Sequence, residues 1–439
     1  MRKIYFTILA MFCATITFAQ NIDFNNNGGD QLWSNPMNWN PSATPTATSI
    51  VRLPLIIESL VNSDFTIQKI QTTFATSGSN PGGTVNVSGA SILTIDAAAN
   101  AVFGIENLSN NDAILNFNGN VTINNSTSTG ISNTLMRNGN GGSNGIVFAD
   151  GSILTLMTPL EARSGSNNNF SFNGSLAGTA ALRFNANTTS TFGSTSNNTG
   201  HEGDLVWIGL NASVVVNTTD NNVFLPVDRK IQVNAINGSI EVNGVNVFQG
   251  NVSINGSNSF TFNVDANQNS MGTITFAGAS ADGTLNLDVD NSITELVFAD
   301  NSAIDWGSGT LNIIGYQEGV LRFGTNNSGL TTGQLAQITV DGSGGAVALN
   351  SDGYLVNQSS LSIDDFDADS AKAIAYPTLV DSKLFFSKIQ NNVKIVDLNG
   401  KVLFSSKAEN QSDVSVSFLK SGIYLLVFDN KKVEKFIKK

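Results

Sequence analysis

The stretch "NVSINGSNSFTFNVD", residues 251–265, alternates apolar and polar side chains in two runs separated by Asn255-Gly256-Ser257. Alternation with period two marks a half-buried strand, and Asn-Gly marks a turn. The same texture runs outward in both directions: "ILNFNGNVTINN" (114–125), "FSFNGSL" (170–176) and "SIEVNGVNVF" (239–248). Ile274-Thr-Phe276, Leu285-Asn-Leu287 and Leu296-Val-Phe298 recur eleven residues apart, and Leu311-Asn-Ile313 follows after fifteen. Short strands at this spacing suit a sandwich, a barrel or a coiled sheet. More than 300 residues of one texture favour the coil. The predicted fold is all-β: a right-handed β-solenoid (β-helix) over residues 20–360, with inward Val, Ile, Leu and Phe forming one core and Asn amides at the turns stacking in ladders. Consecutive β-sandwiches are the alternative. "LTTGQLAQI" (330–338) predicts a single helical turn capped by Thr331 or Thr332.

Composition supports this reading. The chain has 439 residues, 41% hydrophobic and only 13% charged, with 41 Gly and 27 Phe against 8 Pro. Such a chain buries a core and is not disordered. The net charge of −12 is unevenly spread. Residues 20–372 hold 9 Lys plus Arg against 28 Asp plus Glu, whereas residues 373–439 hold 11 Lys against 6 acids. An acidic body argues against nucleic acid as a partner. Calcium is the one cofactor such a surface suggests.

The start "MRKIYFTILAMFCATITFAQ" has a basic end, an apolar run and small residues. It predicts a signal peptide over residues 1–19, cut between Ala19 and Gln20. Cys13, the sole cysteine, lies inside it. The mature chain then carries no disulfide, thiolate metal site or catalytic thiol. No later segment is long and apolar enough to span a bilayer as a helix.

"LSIDDFDADSAKA" (361–373) is acidic and short of large apolar residues, and it predicts a linker. Asp365, Asp367 and Asp369 alternate as calcium ligands could, yet no closing Glu follows. Residues 374–439 then predict a small antiparallel β-sandwich. Its strands are Leu384 to Phe386, Val393 to Asp397, Val402 to Phe404, Val414 to Phe418, Tyr424 to Phe428 and Val433 to Ile437. A hairpin turns at Asn399-Gly400.

This segment closely resembles the type A sorting domain of the type IX secretion system of Bacteroidota. The residues that carry the resemblance are Tyr376-Pro377, Asp397 to Lys401 with Gly400, Leu419 to Tyr424 with Gly422, and Lys435 to Lys439. Leu379 stands where the family has a second proline. The resemblance implies Sec-dependent passage to the periplasm and docking of the tail on the outer-membrane type IX machinery. Removal of the tail near the linker follows, and the body is released or fixed to surface lipopolysaccharide. Asp369-Ser370-Ala371 resembles the short O-glycosylation signal of the same bacteria. "LWSNPMNW" (32–39), with Pro41 and Pro45, resembles the opening of autotransporter-like β-repeat passenger domains. Residues 296–356 resemble their closing module, through Trp306, Leu311 and Ile313, Leu321 to Gly324, Leu330 to Ile338, and Gly353 to Leu355.

Catalytic residue types are few. His201 is the only histidine and sits in "TGHEGD" beside Glu202 and Asp204. That cluster could bind a metal or supply a base, and a solvated Gly-rich turn is the blander reading. A His-Glu-x-x-His zinc site is impossible with one histidine. "GGSNG" (141–145) matches Gly-x-Ser-x-Gly at Ser143, but a strand-like run follows it where the nucleophile elbow needs a helix. "DGTLNLDVD" places Asp288 and Asp290 on one strand face. With a groove and an arginine they would suit a polysaccharide lyase or glycoside hydrolase. Arg229-Lys230 is the one adjacent basic pair of the body and reads as a strand cap. The expected role is a secreted or surface β-repeat protein, adhesin-like rather than enzymatic, with glycans or lipopolysaccharide as partners.

Overall fold

The computed structural model describes residues 19–439 except 56, 73–82, 98–101, 109–111, 127–132, 140–144, 165–168, 279, 345, 359–374, 408–409 and 429–432. Residues 1–18 of the expected signal peptide, Ser143, and the expected linker with its aspartates and Ser370 lie outside the described residues. The chain divides into two compact units, Met1–Gln358 and Ser359–Lys439.

The first unit is a β-solenoid of about 11 turns. Between its two ends the strands rotate over three faces, and each pairs in parallel with a strand one coil away. Asn251–Asn255 lies on the first face, Ser259–Val264 on the second, Gln268–Met271 on the third, and Ile274–Ala277 returns to the first. Val252 pairs with Ile274, and Phe260 with Leu285. The Asn255-Gly256 turn is therefore a corner between faces, with Gly256 at φ +59. The eleven-residue recurrence reads consecutive faces of one coil, whereas Leu311 to Ile313 stacks directly on Leu285 to Leu287. In-register partners on the first face run Leu160, Leu182, Leu205, Ile231, Val252 and Ile274, in steps of 22, 23, 26, 21 and 22 residues. That unevenness hides the repeat from inspection of the sequence.

Inward positions build ladders. On the second face Phe117, Phe148, Phe172 and Phe192 are in register and buried, with ring centroids 5.1, 5.6 and 5.1 Å apart in near-parallel stacks. Outward strand positions build amide ladders too, beyond the turn positions where they are expected. The Asn116 amide donates to Asn86 at 2.9 Å, and that of Asn312 to Asn286 at 3.0 Å. Backbone pairing along the stack and both kinds of ladder come from the same register, so each coil braces the next.

Both ends are closed. At the start Trp33 and Trp39 meet edge to face at 5.2 Å, and the Trp39 indole donates to the Trp33 carbonyl at 2.9 Å. Gln20–Phe24, the first described strand, pairs antiparallel with Trp39–Asn40. At the far end Thr331 caps the one-turn helix Thr332–Ala336 through a capping box with Gln334. The Gln334 amide also bonds the Asn301 and Ile304 carbonyls, each at 2.8 Å. An antiparallel pair, Val347–Leu349 with Leu355–Asn357, follows. The switch from parallel to antiparallel pairing stops coil-on-coil addition.

The second unit is two sheets around its own core. Ala375–Tyr376, Lys383–Gln390 and Gln411–Ser415 form one. The other has the order Leu379–Val380, Val433–Lys438, Gly422–Phe428, Val393–Val396, Val402–Ser406. Leu384, Phe386 and Val414 from the first sheet pack with Val393, Ile395, Leu426, Phe428 and Phe436 from the second. Two details differ from the sequence reading. Leu379–Val380 runs parallel to the last strand, pairing with Ile437 and Lys438. The last strand is therefore partly covered along that edge, and Lys438 is buried. The Phe418 side chain lies beyond its expected strand, which ends at Ser415, and is exposed.

Candidate functional site

The motif residues of the C-terminal unit hold its turns. The Asp397 carboxylate accepts the N–H groups of Asn399 and Lys401, both at 2.9 Å. Gly400 sits at φ +79, which a side chain would strain. Together they fix the hairpin between Val393–Val396 and Val402–Ser406. Leu419 is buried, and its N–H donates to the Val416 carbonyl at 3.1 Å. Tyr424 stacks on Phe436 at 5.7 Å and donates its hydroxyl to the Lys420 carbonyl at 2.9 Å, tying down the corner before Gly422. Tyr376 is exposed, 6.1 Å from the Phe385 ring, and its bond to Pro377 is cis. The N–H of Lys439 donates to the Val380 carbonyl, and that of Ile437 to the Thr378 carbonyl. These bonds use the carbonyls on either side of Leu379. Lys435 is exposed. By register, the Asp397 turn, Tyr424 and Lys439 approach the same end of the five-stranded sheet.

The outward face of that sheet is apolar. Leu379, Ile437 and Ile423 stand in one cross-strand row. Lys435, Leu425, Val396 and Val402 form the next, and Val433, Val427 and Lys394 the third. Among the described residues, eleven large apolar side chains of this unit are exposed, against seven in the much longer solenoid. Five of the eleven, Leu379, Val402, Ile423, Val433 and Ile437, lie in these rows, and a contiguous exposed apolar patch marks a surface that a partner covers.

The solenoid carries a different surface. Residues 20–358 hold eight Lys and Arg against 24 Asp and Glu. Six of the eight, Arg52, Lys69, Arg137, Arg163, Arg183 and Lys230, lie in strands of the first face, and Arg229 adjoins Lys230. Only Arg322 is on the third face. The strands of the first face hold three acids: Asp23, Glu106 and Glu161. Asp23 pairs with Arg52, Glu106 with Lys69 and Arg137, and Glu161 with Arg163. Burial, followed by repulsion from Arg137, pushes the Lys69 ammonium down to about 8.

Where this face meets the third face, a groove of about 370 Å³ is lined by Thr179, Ala181, Arg183, Glu202, Gly203, Asp204, Val206, Ile208, Arg229, Gln232 and Asn234. It holds the "HEGD" turn and brings carboxylates and arginines together here rather than at Asp288 and Asp290. Asp288 is half-buried on the strand Thr284–Val289, and Asp290 falls just beyond its end and accepts the Ser292 N–H. Arg229 donates to the Glu202 carbonyl at 2.7 Å, and Lys230 lies 3.9 Å from the Asp204 carboxylate. The basic pair thus braces the groove rim, which the sequence reading missed.

His201 is buried, not solvated. Its Nε2 lies 3.0 Å from the Ala180 carbonyl and donates to it, and a Cβ on Gly203 would stand 2.1 Å from that oxygen. Burial pushes the imidazole below its usual value, against the opposing pull of the Ala180 carbonyl and Asp204. The sign follows: below the ordinary value of 6.5 the unfolded chain takes up a proton that the folded chain resists. Stability is therefore full above 6.5 and falls as pH drops. Between about pH 7 and 5.5, wild-type melting temperature is expected to fall, and His201→Gln, which keeps a donor for Ala180, is expected to flatten that slope. An unchanged slope would contradict the assignment. Among the described residues no three His, Cys, Asp or Glu converge as a metal-holding group.

Residues 376–439 match the family of the secretion system C-terminal sorting domain. No curated protein and no solved structure matches the chain. The C-terminal unit is thus a type IX secretion sorting domain, whose partner is the type IX machinery. The solenoid ahead of it is the body of a protein exported to the cell surface or the extracellular space.

Proposed function

We propose that the chain is a non-enzymatic, adhesin-like or surface-matrix β-solenoid, with its tail serving as a detachable export address. In this reading Sec carries the precursor to the periplasm. Signal peptidase cuts between Ala19 and Gln20, two exposed residues at the start of the first strand. The observation that carries the reading is the apolar, lysine-bearing outer face of the sorting domain. Apolar rows supply contact area, and Lys394 and Lys435 orient an acidic partner surface of the export machinery. Tyr376, Pro377, Asp397, Gly400, Lys401, Leu419, Gly422, Tyr424, Lys435 and Lys439 hold or flank that face. After export the tail is removed, and the body is released or fixed to surface lipopolysaccharide, where it contacts glycans.

The double variant Ile423→Ser/Ile437→Ser alters only outward side chains. It is expected to lower the extracellular amount severalfold, by immunoblot of medium and cells, with the melting temperature of the tail unchanged. Normal export would sink the docking face. Cells lacking the gene are expected to attach less well to glycan-coated surfaces, and unimpaired attachment would remove the adhesin-like role. The groove with Glu202, Asp204 and two arginines favours a second reading, a polysaccharide lyase or glycoside hydrolase. Product release from acidic or neutral glycans, with and without calcium, would establish it.

A further inference from the structure

We propose that the groove around Arg183 on the first face binds the carboxylate of a sparsely charged acidic polysaccharide. This deepens the glycan-contact reading above and rests on it. Three independent features converge on the groove. The first is charge: of the seven cations on or beside the first face, Arg183 and Arg229 line this groove and Lys230 lies at its rim. The second is Arg183 itself. The register sets it against Glu161 on the preceding coil, but that carboxylate is already taken by Arg163 at 2.7 Å and by the Asn185 amide at 2.5 Å. Among the described residues, the Arg183 guanidinium has no ion pair or hydrogen bond, and its Nε is sealed from solvent without a partner. The sealed Nε is out of a ligand's reach, so a ligand completes this guanidinium at its two Nη amines, which have no partner among the described residues and face the groove. A carboxylate fits its planar fork through two parallel hydrogen bonds.

The third feature is the rest of the lining. Gln232 and Asn234 offer amides, Glu202 and Asp204 offer acceptors, and Val206 and Ile208 form an apolar floor. That mixture suits hydroxyl-rich rings with apolar faces. The volume is at the small end of the roughly 300–1,000 Å³ of ligand sites, and the groove is open, as a polymer requires. Nucleic acid fits poorly, because its dense phosphates would meet the acids that cover the other faces.

The test uses the full chain and three immobilised polymers at physiological salt. These are hyaluronan, with a carboxylate on alternate sugars; dextran, which is neutral; and single-stranded DNA. Hyaluronan is expected to bind, dextran at least about tenfold more weakly, and DNA not at all. Arg183→Gln is expected to weaken hyaluronan binding by about tenfold or more without lowering the melting temperature. Should that variant unfold, Arg229→Gln at the rim serves instead, with a loss of the same sign. Equal binding of dextran, tighter binding of DNA, or unchanged hyaluronan binding in a folded Arg183→Gln overturns the site. If hyaluronan fails to bind while gene loss still impairs attachment, the surface role stands and this assignment falls.

Discussion

A chain lacking residues 376–439 is expected to disappear from the outside of the cell and to accumulate, folded, within it. The two units have separate cores. One runs from Ile22 to Leu355, and the other is built from Ala375, Leu384, Val393, Leu426, Phe436 and their neighbours. Removing the second takes no side chain from the first core, so loss of export cannot be put down to unfolding of the solenoid. What is lost is the apolar face with its two lysines. A docking contact of even micromolar strength is worth about 8 kcal/mol. The acidic body cannot replace it, because neither its charge nor its polar amide ladders resemble that face. The measurement is the partition of the chain between medium, surface and cell contents by immunoblot, with protease resistance of the retained chain reporting its fold. Grafting residues 376–439 onto an unrelated carrier gives the converse arm. Normal amounts of truncated chain outside the cell would refute the assignment of the tail as an address.

Much of this architecture is local, and so it could be read from the sequence. Strand alternation fixes which side chains point inward, so "SFTFNV" already marks Phe260 and Phe262 as core. The Asp397 turn is written into five consecutive residues, since one carboxylate and one glycine define it. Thr331 and Gln334 announce their helical turn for the same reason. What could not be read is which strand lies beside which. Alternation says nothing about neighbours, and coils of uneven length spread the seven cations of the first face across irregular intervals. The meeting of Arg183, Glu202, Asp204 and Arg229 in one groove exists only once the coils are stacked. His201 misled for a related reason. Its polar neighbours in "TGHEGD" suggest solvent, but the corner folds the ring onto the Ala180 carbonyl of the previous coil.

The same stacking makes Phe172→Ala the most damaging single substitution expected in the solenoid. Phe172 is the third of four rings in register, with Phe148 at 5.6 Å on one side and Phe192 at 5.1 Å on the other. Truncation removes both stacks and leaves a cavity that neither neighbour can fill, because strand pairing fixes the distance between coils. Loss of a buried phenylalanine costs about 3–5 kcal/mol. In a stack whose coils touch only their neighbours, that loss stays local. The expected signature is early hydrogen exchange and proteolysis around residues 145–192, ahead of the rest of the body. Phe172→Leu, which fills most of the volume, is expected to cost far less. Ser171→Ala, one residue away and outward, is expected to cost almost nothing. If Phe172→Ala behaved like Ser171→Ala under denaturant, the aromatic ladder would be an ornament of the register rather than a source of its stability.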